Sequence, residues 1–318
     1  MRTVVITGGT GLVGSALTGL LLQEGCRVIV YSRDPKPPPA RPGLRYAHWD
    51  PAHGILEERA LLEADQLVHL AGEPIAEGHW TAAKRQAIRV SRVAGARLVA
   101  ESLSRCRHHV DTVVSASGIS IYGDRGDKLV TESDTPGEGF LPEVCREWEA
   151  GVFRMERLGI RVAVLRTPPV LTASSPLLAP LRTLLRLGIA AVPGSGETWM
   201  SWIHLRDLAR VYSAALADGA FSGAFNAVSP FPVTIGQLSG ALARVIKGRF
   251  TVPVYVPGAL LKLMAGEKGA ALLTSTRASA AKLLRTGFEF SYPTIGAALE
   301  EIYDAKRADA RTVSRLDG

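Results

Sequence analysis

The sequence predicts an α/β protein: a doubly wound parallel sheet followed by a small, mostly helical C-terminal part. Three observations predict it. The apolar run Val4-Val-Ile6 leads straight into Gly8, Gly11 and Gly14 and then an apolar helical pattern over Leu12 to Leu22. Short apolar runs then alternate with helical stretches as far as about residue 170, the pattern of successive βαβ units. Beyond Pro168-Pro169 the runs shorten and become largely helical.

Strand 1 and its glycine turn come first. A dinucleotide pyrophosphate approaches backbone amides closely only where no Cβ intervenes, and the following helix N-terminus offers free N–H groups to it. Gly9-Thr-Gly-Leu-Val-Gly14 reads G-x-G-x-x-G between strand and helix, the context that gives the motif meaning. Gly8, Thr10, Gly11, Leu12 and Val13 are therefore expected at the phosphates.

Arg27 to Tyr31 is strand 2, whose end meets the adenosine ribose. An acid there selects NAD; this chain has Ser32-Arg33, suited to a 2′-phosphate, so the cofactor is read as NADP(H). The proline-rich stretch Asp34 to Pro42 is a loop, and Leu44 to Trp49 is strand 3. Asp50 either meets the adenine amine or begins the turn Asp50-Pro51. Leu67 to Gly72 is strand 4, with Leu70, Ala71 and Gly72 under the cofactor. His69 inside it reads as a core histidine. A long helix runs from Thr81 to Ser104 and carries Ser91-Arg92.

Asp111 to Ser117 is strand 5 and continues into Gly118 to Gly126. Ser115, Ser117 and Tyr122 thus stand at the carboxyl end of a central strand, where such sheets bind ligands. Phe140 to Leu158 is a helix and Ile160 to Arg166 is strand 6. Further helices are expected over Leu177–Leu187, Arg206–Ala217, Thr234–Ile246, Gly258–Met264, Ala278–Leu284 and Ile295–Tyr303, with Trp199 to His204 extended and Phe225 to Val228 returning to the main sheet. This gives a dinucleotide-binding Rossmann domain over 1–170, a substrate domain over 171–303 and a disordered tail over 304–318.

Composition bounds the class. The 318 residues are 47% hydrophobic and 21% charged, as in a soluble globular protein, and none of the apolar runs is long enough to span a bilayer. Thr3 already begins a strand, so no leader peptide is expected. Cys26, Cys106 and Cys145 lack metal-site spacing, and adjacent His108-His109 have no i,i+4 partner, so no metal site is expected; three cysteines cannot all pair, and a reducing cytoplasm is the simplest setting. The net charge of +7 is scattered arginine, without a compact basic patch, which argues against nucleic acid as a partner.

Several stretches together resemble a known family. Thr7-Gly-Gly-Thr-Gly-Leu-Val-Gly14, Leu70-Ala-Gly72, Tyr122-Gly123 and Ile203-His-Leu-Arg-Asp207 are similar to the extended short-chain dehydrogenase/reductases. Gly72-Glu-Pro-Ile75 with Trp80 and Ser91-Arg92, Tyr122 to Asp127, Phe140 to Glu149, Gly194 to His204 and Gly287 to Pro293 narrow this to the atypical subgroup 39U, labelled "epimerase family protein", with its C-terminal domain of unknown function. The resemblance implies NADP(H) binding, with Arg92 near the cofactor and a substrate domain closing over the nicotinamide. It points to an NADP(H)-dependent oxidoreductase or epimerase-like enzyme acting on a small carbonyl or sugar-type substrate, as monomer or homodimer and without membrane partners.

The departures are informative. The helix position of the usual Tyr-x-x-x-Lys pair holds Val144-Cys-Arg-Glu-Trp148. Ile121 replaces the first of two tyrosines the subgroup usually shows, and Pro168 replaces a glycine after strand 6. Ser117 and Tyr122 are then the expected catalytic groups, with Arg166 holding an anionic substrate. The missing pair also leaves open a catalytically silent NADP(H)-binding regulator, as in plastid and cyanobacterial relatives linked to cell division, or a nucleotide-sugar epimerase.

Overall fold

A computed structural model describes residues 1–34, 37–248, 251–260 and 274–304. Seven parallel strands form the main sheet: β1 (Thr3–Thr7), β2 (Arg27–Ser32), β3 (Leu44–Asp50), β4 (Gln66–His69), β5 (Thr112–Gly118), β6 (Arg161–Thr167) and β7 (Gly223–Asn226). Their spatial order is β7-β6-β5-β4-β1-β2-β3, and the short strand Ile55–Leu56 adds antiparallel to β3. The chain winds outward from β1 to β3, then resumes on the other side with β4. The crevice between β1 and β4 is therefore the point where strand order reverses, the ligand site of such sheets.

Helices cover both faces. α1 (Leu12–Gln23) packs with α5 (Leu205–Ala217) on one face; α2 (Ala82–Arg105) and α3 (Phe140–Phe153) cover the other. Burial on both faces explains why Val4, Val5 and Ile6 read as a continuous apolar run, each fully buried. α4 (Leu178–Arg186) and α6 (Ile235–Lys247) pack with 295–304 around a separate core that includes Leu185, Trp202, Leu238 and Leu299.

Four expectations change; one is the helix expected over Ala278–Leu284, which covers only Ala281–Leu284, with Arg277–Ala278 a short strand beside Leu129–Val130. β4 stops at His69; beyond it the Leu70 amide is shared between the Thr7 carbonyl at 3.1 Å and the Thr7 hydroxyl at 3.2 Å, and the Ala71 amide bonds that hydroxyl at 3.2 Å. The helix after Phe140 tightens into a 3₁₀ turn at Arg154–Leu158. Ile189–Pro193 and Val252–Val256 form a two-stranded parallel ribbon that the sequence pattern did not suggest. The helix expected over Gly258–Met264 runs beyond residue 260, and the tail expected beyond Asp304, so both fall outside the described residues. Among the described residues no helix is long and apolar enough to cross a membrane.

The segment Ile203-His-Leu-Arg-Asp207 ties the C-terminal stretch to the sheet. The fully buried Asp207 carboxylate accepts the backbone N–H groups of Ser291 and Tyr292, both at 2.8 Å, and pairs with Arg210. His204 meets Glu301 at 2.9 Å.

Candidate functional site

The glycine turn at the β1–β4 crevice is a cradle. Gly8 has φ +70°, and a Cβ there would lie 2.8 Å from the Ala71 nitrogen. A Cβ on Gly14 would lie 2.3 Å from the Gly8 carbonyl oxygen, so the helix packs too tightly on the turn for any side chain. Gly11 is the α1 N-cap and makes no side-chain cap, and no acidic residue occupies the first turn. The first N–H groups of α1 thus point outward without an intrahelical acceptor. Thr10, Gly11 and Leu12 are exposed, and Leu12 is 47% exposed where an apolar residue would ordinarily hide. This geometry fits a pyrophosphate.

The flanking loops are held from beneath. The Ser91 hydroxyl accepts the Glu73 amide at 2.9 Å, and Arg92 donates to the Glu73 carbonyl at 3.0 Å. The Arg92 guanidinium sits 5.3 Å over the Trp148 ring and against Gly72, where a Cβ would come within 3.1 Å of its carbon. Arg92 is buried beneath Gly72-Glu73 and fixes that loop. Ser32 is buried and accepts the Asp34 amide at 3.0 Å, whereas Arg33 is exposed. Asp50 accepts the Ala52 amide and pairs with His53, so it makes the turn.

Strand register gathers polar side chains on the α2/α3 face. Thr7, His69 and Ser115 are cross-strand neighbours on β1, β4 and β5. Thr7 Oγ1 accepts two amides, so its own proton goes to His69 Nδ1 at 2.8 Å. His69 is a neutral core histidine, its pKa pushed down to about 4 by burial and by nearby Arg92. Ser115 is fully buried beside it and bonds its neighbour's carbonyl.

One step toward the carboxyl edge, Ser117, Arg166 and Asn226 align across β5, β6 and β7. Arg166 makes two parallel bonds to Glu149 of α3, Nε to Oε1 and Nη2 to Oε2, each 2.9 Å. Ser117 donates to Glu149 at 2.7 Å; Arg166 Nη1 donates to the Tyr122 hydroxyl at 2.8 Å, which donates to Asn226 Oδ1 at 2.6 Å. Burial alone would lower the Arg166 pKa, but its bonds to Glu149 outweigh that and raise it. Burial pushes the Tyr122 hydroxyl above its ordinary range, against the pull of Arg166.

The structure thus brings Ser117, Tyr122 and Arg166 together, but not as expected. All three are buried, and their polar groups bond one another, Glu149 and Asn226. Arg166, expected to hold an anionic substrate, is paired with Glu149 in this structure. Glu149, within a stretch that carried the resemblance, and Asn226 had no assigned role in the sequence reading. Opposite-face alternation along β5 and β6 was the signal that could have paired Ser117 with Arg166.

A cavity of about 380 Å³ opens immediately beyond this network. It is lined by Ile119 and Ser120 after β5, Pro169 after β6, Phe140 and Leu141 at the start of α3, and Trp199 and Met200. A larger groove, about 1100 Å³, lies between the ribbon and α6 and touches none of the strand ends. The smaller cavity is the one placed by the sheet. Among its described lining residues there is no Tyr, Lys, Arg, His or Cys. Ser120, half-buried on the 3₁₀ turn Ile119–Tyr122, presents a hydroxyl there that the sequence reading passed over.

The chain matches two family descriptions: "NAD dependent epimerase/dehydratase family" over residues 4–227 and "Domain of unknown function (DUF1731)" over 256–302. Epimerase family protein Mb2239 of Mycobacterium bovis is 34% identical over 297 residues, covering 93% of this chain and 96% of that one. Human epimerase family protein SDR39U1 is 30% identical over 306 residues, covering 94% and 99%. The crystal structure of human SDR39U1 (isoform 2) with NADPH superimposes with a TM-score of 0.83 at 28% identity, covering 95% of this chain and 99% of that one. The chain therefore belongs to the NAD dependent epimerase/dehydratase family, among the epimerase family proteins of the SDR39U1 type.

Proposed function

We propose that this protein is an NADP(H)-dependent oxidoreductase or epimerase-like enzyme whose substrate enters the cavity beyond β5 and β6. The observation that carries the reading is the placement of two features at the carboxyl ends of neighbouring strands. The glycine cradle suits a dinucleotide pyrophosphate, and the cavity lies at the neighbouring strand ends. The NADPH in the human SDR39U1 structure supports the cofactor class. Arg33 favours the phosphorylated form: it is exposed beyond β2, with no hydrogen bond or ion pair to another described residue.

A bound nicotinamide would supply or accept hydride. The chain positions and polarises. Arg92 and Ser91 set the Gly72-Glu73 turn, and the Arg166–Glu149 network rigidifies the ends of β5, β6 and β7. Ser120, on the cavity wall after β5, would donate a hydrogen bond to a reacting oxygen. Three free cysteines suit a reducing, cytoplasmic setting.

One observation favours a second reading, an NADP(H)-binding regulator without turnover. Val144 and Trp148, at the usual tyrosine and lysine positions, are buried in the core. Stopped-flow mixing of NADPH-loaded protein with a carbonyl library separates the two. Oxidation of NADPH is expected; tight binding with no oxidation across the library gives the regulator first place.

A further inference from the structure

The cavity also carries a statement about what it selects. Resting on the reading above, we infer that the site takes an uncharged, largely apolar carbonyl compound or its alcohol and rejects nucleoside-diphosphate sugars. The charge of the lining is the first reason. Its ionisable side chains among the described residues are two carboxylates, Asp124 and Glu138. Among the described lining residues a diphosphate would meet like charge and no guanidinium or ammonium, whereas phosphate sites ordinarily recruit arginine forks or lysine. The nearest candidates are engaged elsewhere. Arg166 is paired with Glu149 beneath the floor; Arg125 bonds the Tyr122 and Thr135 carbonyls; Arg277 is stacked on Trp199, 4.3 Å from the ring centroid, and does not itself line the cavity.

The start of α3 is the competing effect, because a helix N-terminus attracts anions. Phe140 and Leu141 bring that terminus to the cavity wall. Pro142 lacks one of the N–H groups such a site would use, and Glu138 and Glu143 flank the terminus with negative charge. The amides of this turn are thus a poor diphosphate cradle, in contrast to the first turn of α1, which carries no acid.

Shape and polarity agree with charge. Leu141, Leu177, Trp199, Met200 and Ile235 supply apolar wall, and Phe140 is held in place by an edge contact with Trp80 at 5.9 Å. The volume of about 380 Å³ stands near the low end for small-molecule sites, before a nicotinamide ring takes its share. The polar groups that remain are neutral, the hydroxyls of Ser120, Thr198, Ser201, Thr274 and Thr276 and the Trp199 indole N–H; Ser201 and Thr276 bond the Thr276 and Gly123 carbonyls. That set suits a neutral oxygen rather than a charged group.

The test measures binding, not turnover. 2-Acetylnaphthalene and UDP-glucose are titrated by saturation-transfer NMR and calorimetry into the full chain, with and without saturating NADP+; NADP+ binding is followed separately. 2-Acetylnaphthalene is expected to bind at least tenfold more tightly than UDP-glucose. Met200→Gln, close in volume and polar, is expected to weaken 2-acetylnaphthalene at least fivefold and leave NADP+ unchanged; Leu177→Gln serves if Met200→Gln does not fold. Tighter binding of UDP-glucose, or unchanged binding of 2-acetylnaphthalene to a folded cavity variant, overturns the inference. Failure of NADP+ to bind, with the probe preference intact, overturns the cofactor reading instead.

Discussion

Arg166 and Glu149 face each other across β6 and α3 as a two-pronged ion pair, both nine-tenths buried. Each charge is tolerable there only because of the other, so removing one strands its partner. Glu149→Leu and Arg166→Met are each expected to cost about 3–5 kcal/mol in urea unfolding. The double variant should cost much less than their sum. Additive losses would show that the two groups are not coupled.

Tyr122 and Ser120, two residues apart, have different exposures and therefore different roles. The Tyr122 hydroxyl is fully buried between Arg166 and Asn226, while Ser120 lines the cavity. Tyr122→Phe should cost about 1–3 kcal/mol of stability, since Asn226 and Arg166 each lose a partner. NADPH binding should survive. Ser120→Ala should leave stability and NADPH binding near wild type and slow hydride transfer by about 10²-fold. Slowed transfer in Tyr122→Phe with normal transfer in Ser120→Ala would exchange the roles.

His69 gives the fold an acid sensitivity. Its folded pKa of about 4 lies below its ordinary 6.5, so between these values the unfolded chain binds a proton that the folded chain does not. The contribution is complete above about pH 6.5 and is lost as pH falls toward 4. From pH 7 to pH 5 the loss is about 2 kcal/mol. His69→Phe keeps an aromatic ring between Trp49 and Trp148 and should flatten that dependence in urea midpoints. An unchanged slope would place the acid sensitivity elsewhere.

Much of this molecule is legible in its sequence, for stated physical reasons. Val4 to Gly14 declares strand, cradle and helix because glycine is needed at close backbone approaches. Arg27 to Tyr31 and Ile160 to Arg166 read as strands because their apolar cores, Val28 to Val30 and Val162 to Leu165, are buried on both faces. The functional edge was harder. Polar residues at strand ends look like active-site groups whether they face solvent or each other, and only the sheet register shows Ser117, Arg166 and Asn226 in one row. Glu149 comes from a helix 17 residues before Arg166, a distance no local pattern reports. Ser120 was overlooked because Ser117 and Tyr122 matched the family's chemistry more closely, and the 3₁₀ turn that aims it at the cavity has no sequence signature.

Asp207 holds the C-terminal stretch through two backbone amides. Asp207→Ala leaves both without acceptors and should cost about 2–4 kcal/mol. Hydrogen exchange at the Ser291 and Tyr292 amides should accelerate more than exchange in β1. Uniform acceleration would mean that the stretch unfolds only with the whole protein.

The central claim is that the cradle and the end of β2 together bind the phosphorylated dinucleotide. Fluorescence titration of NADPH and NADH into wild type and Arg33→Ala tests it most directly. A charge-assisted phosphate contact is worth about 1.5–3 kcal/mol, about tenfold or more in affinity. NADPH is predicted to bind more tightly than NADH to the wild type, and Arg33→Ala to weaken NADPH by at least that factor while leaving NADH nearly unchanged. Equal weakening of both cofactors, or no preference for NADPH in the wild type, would contradict it.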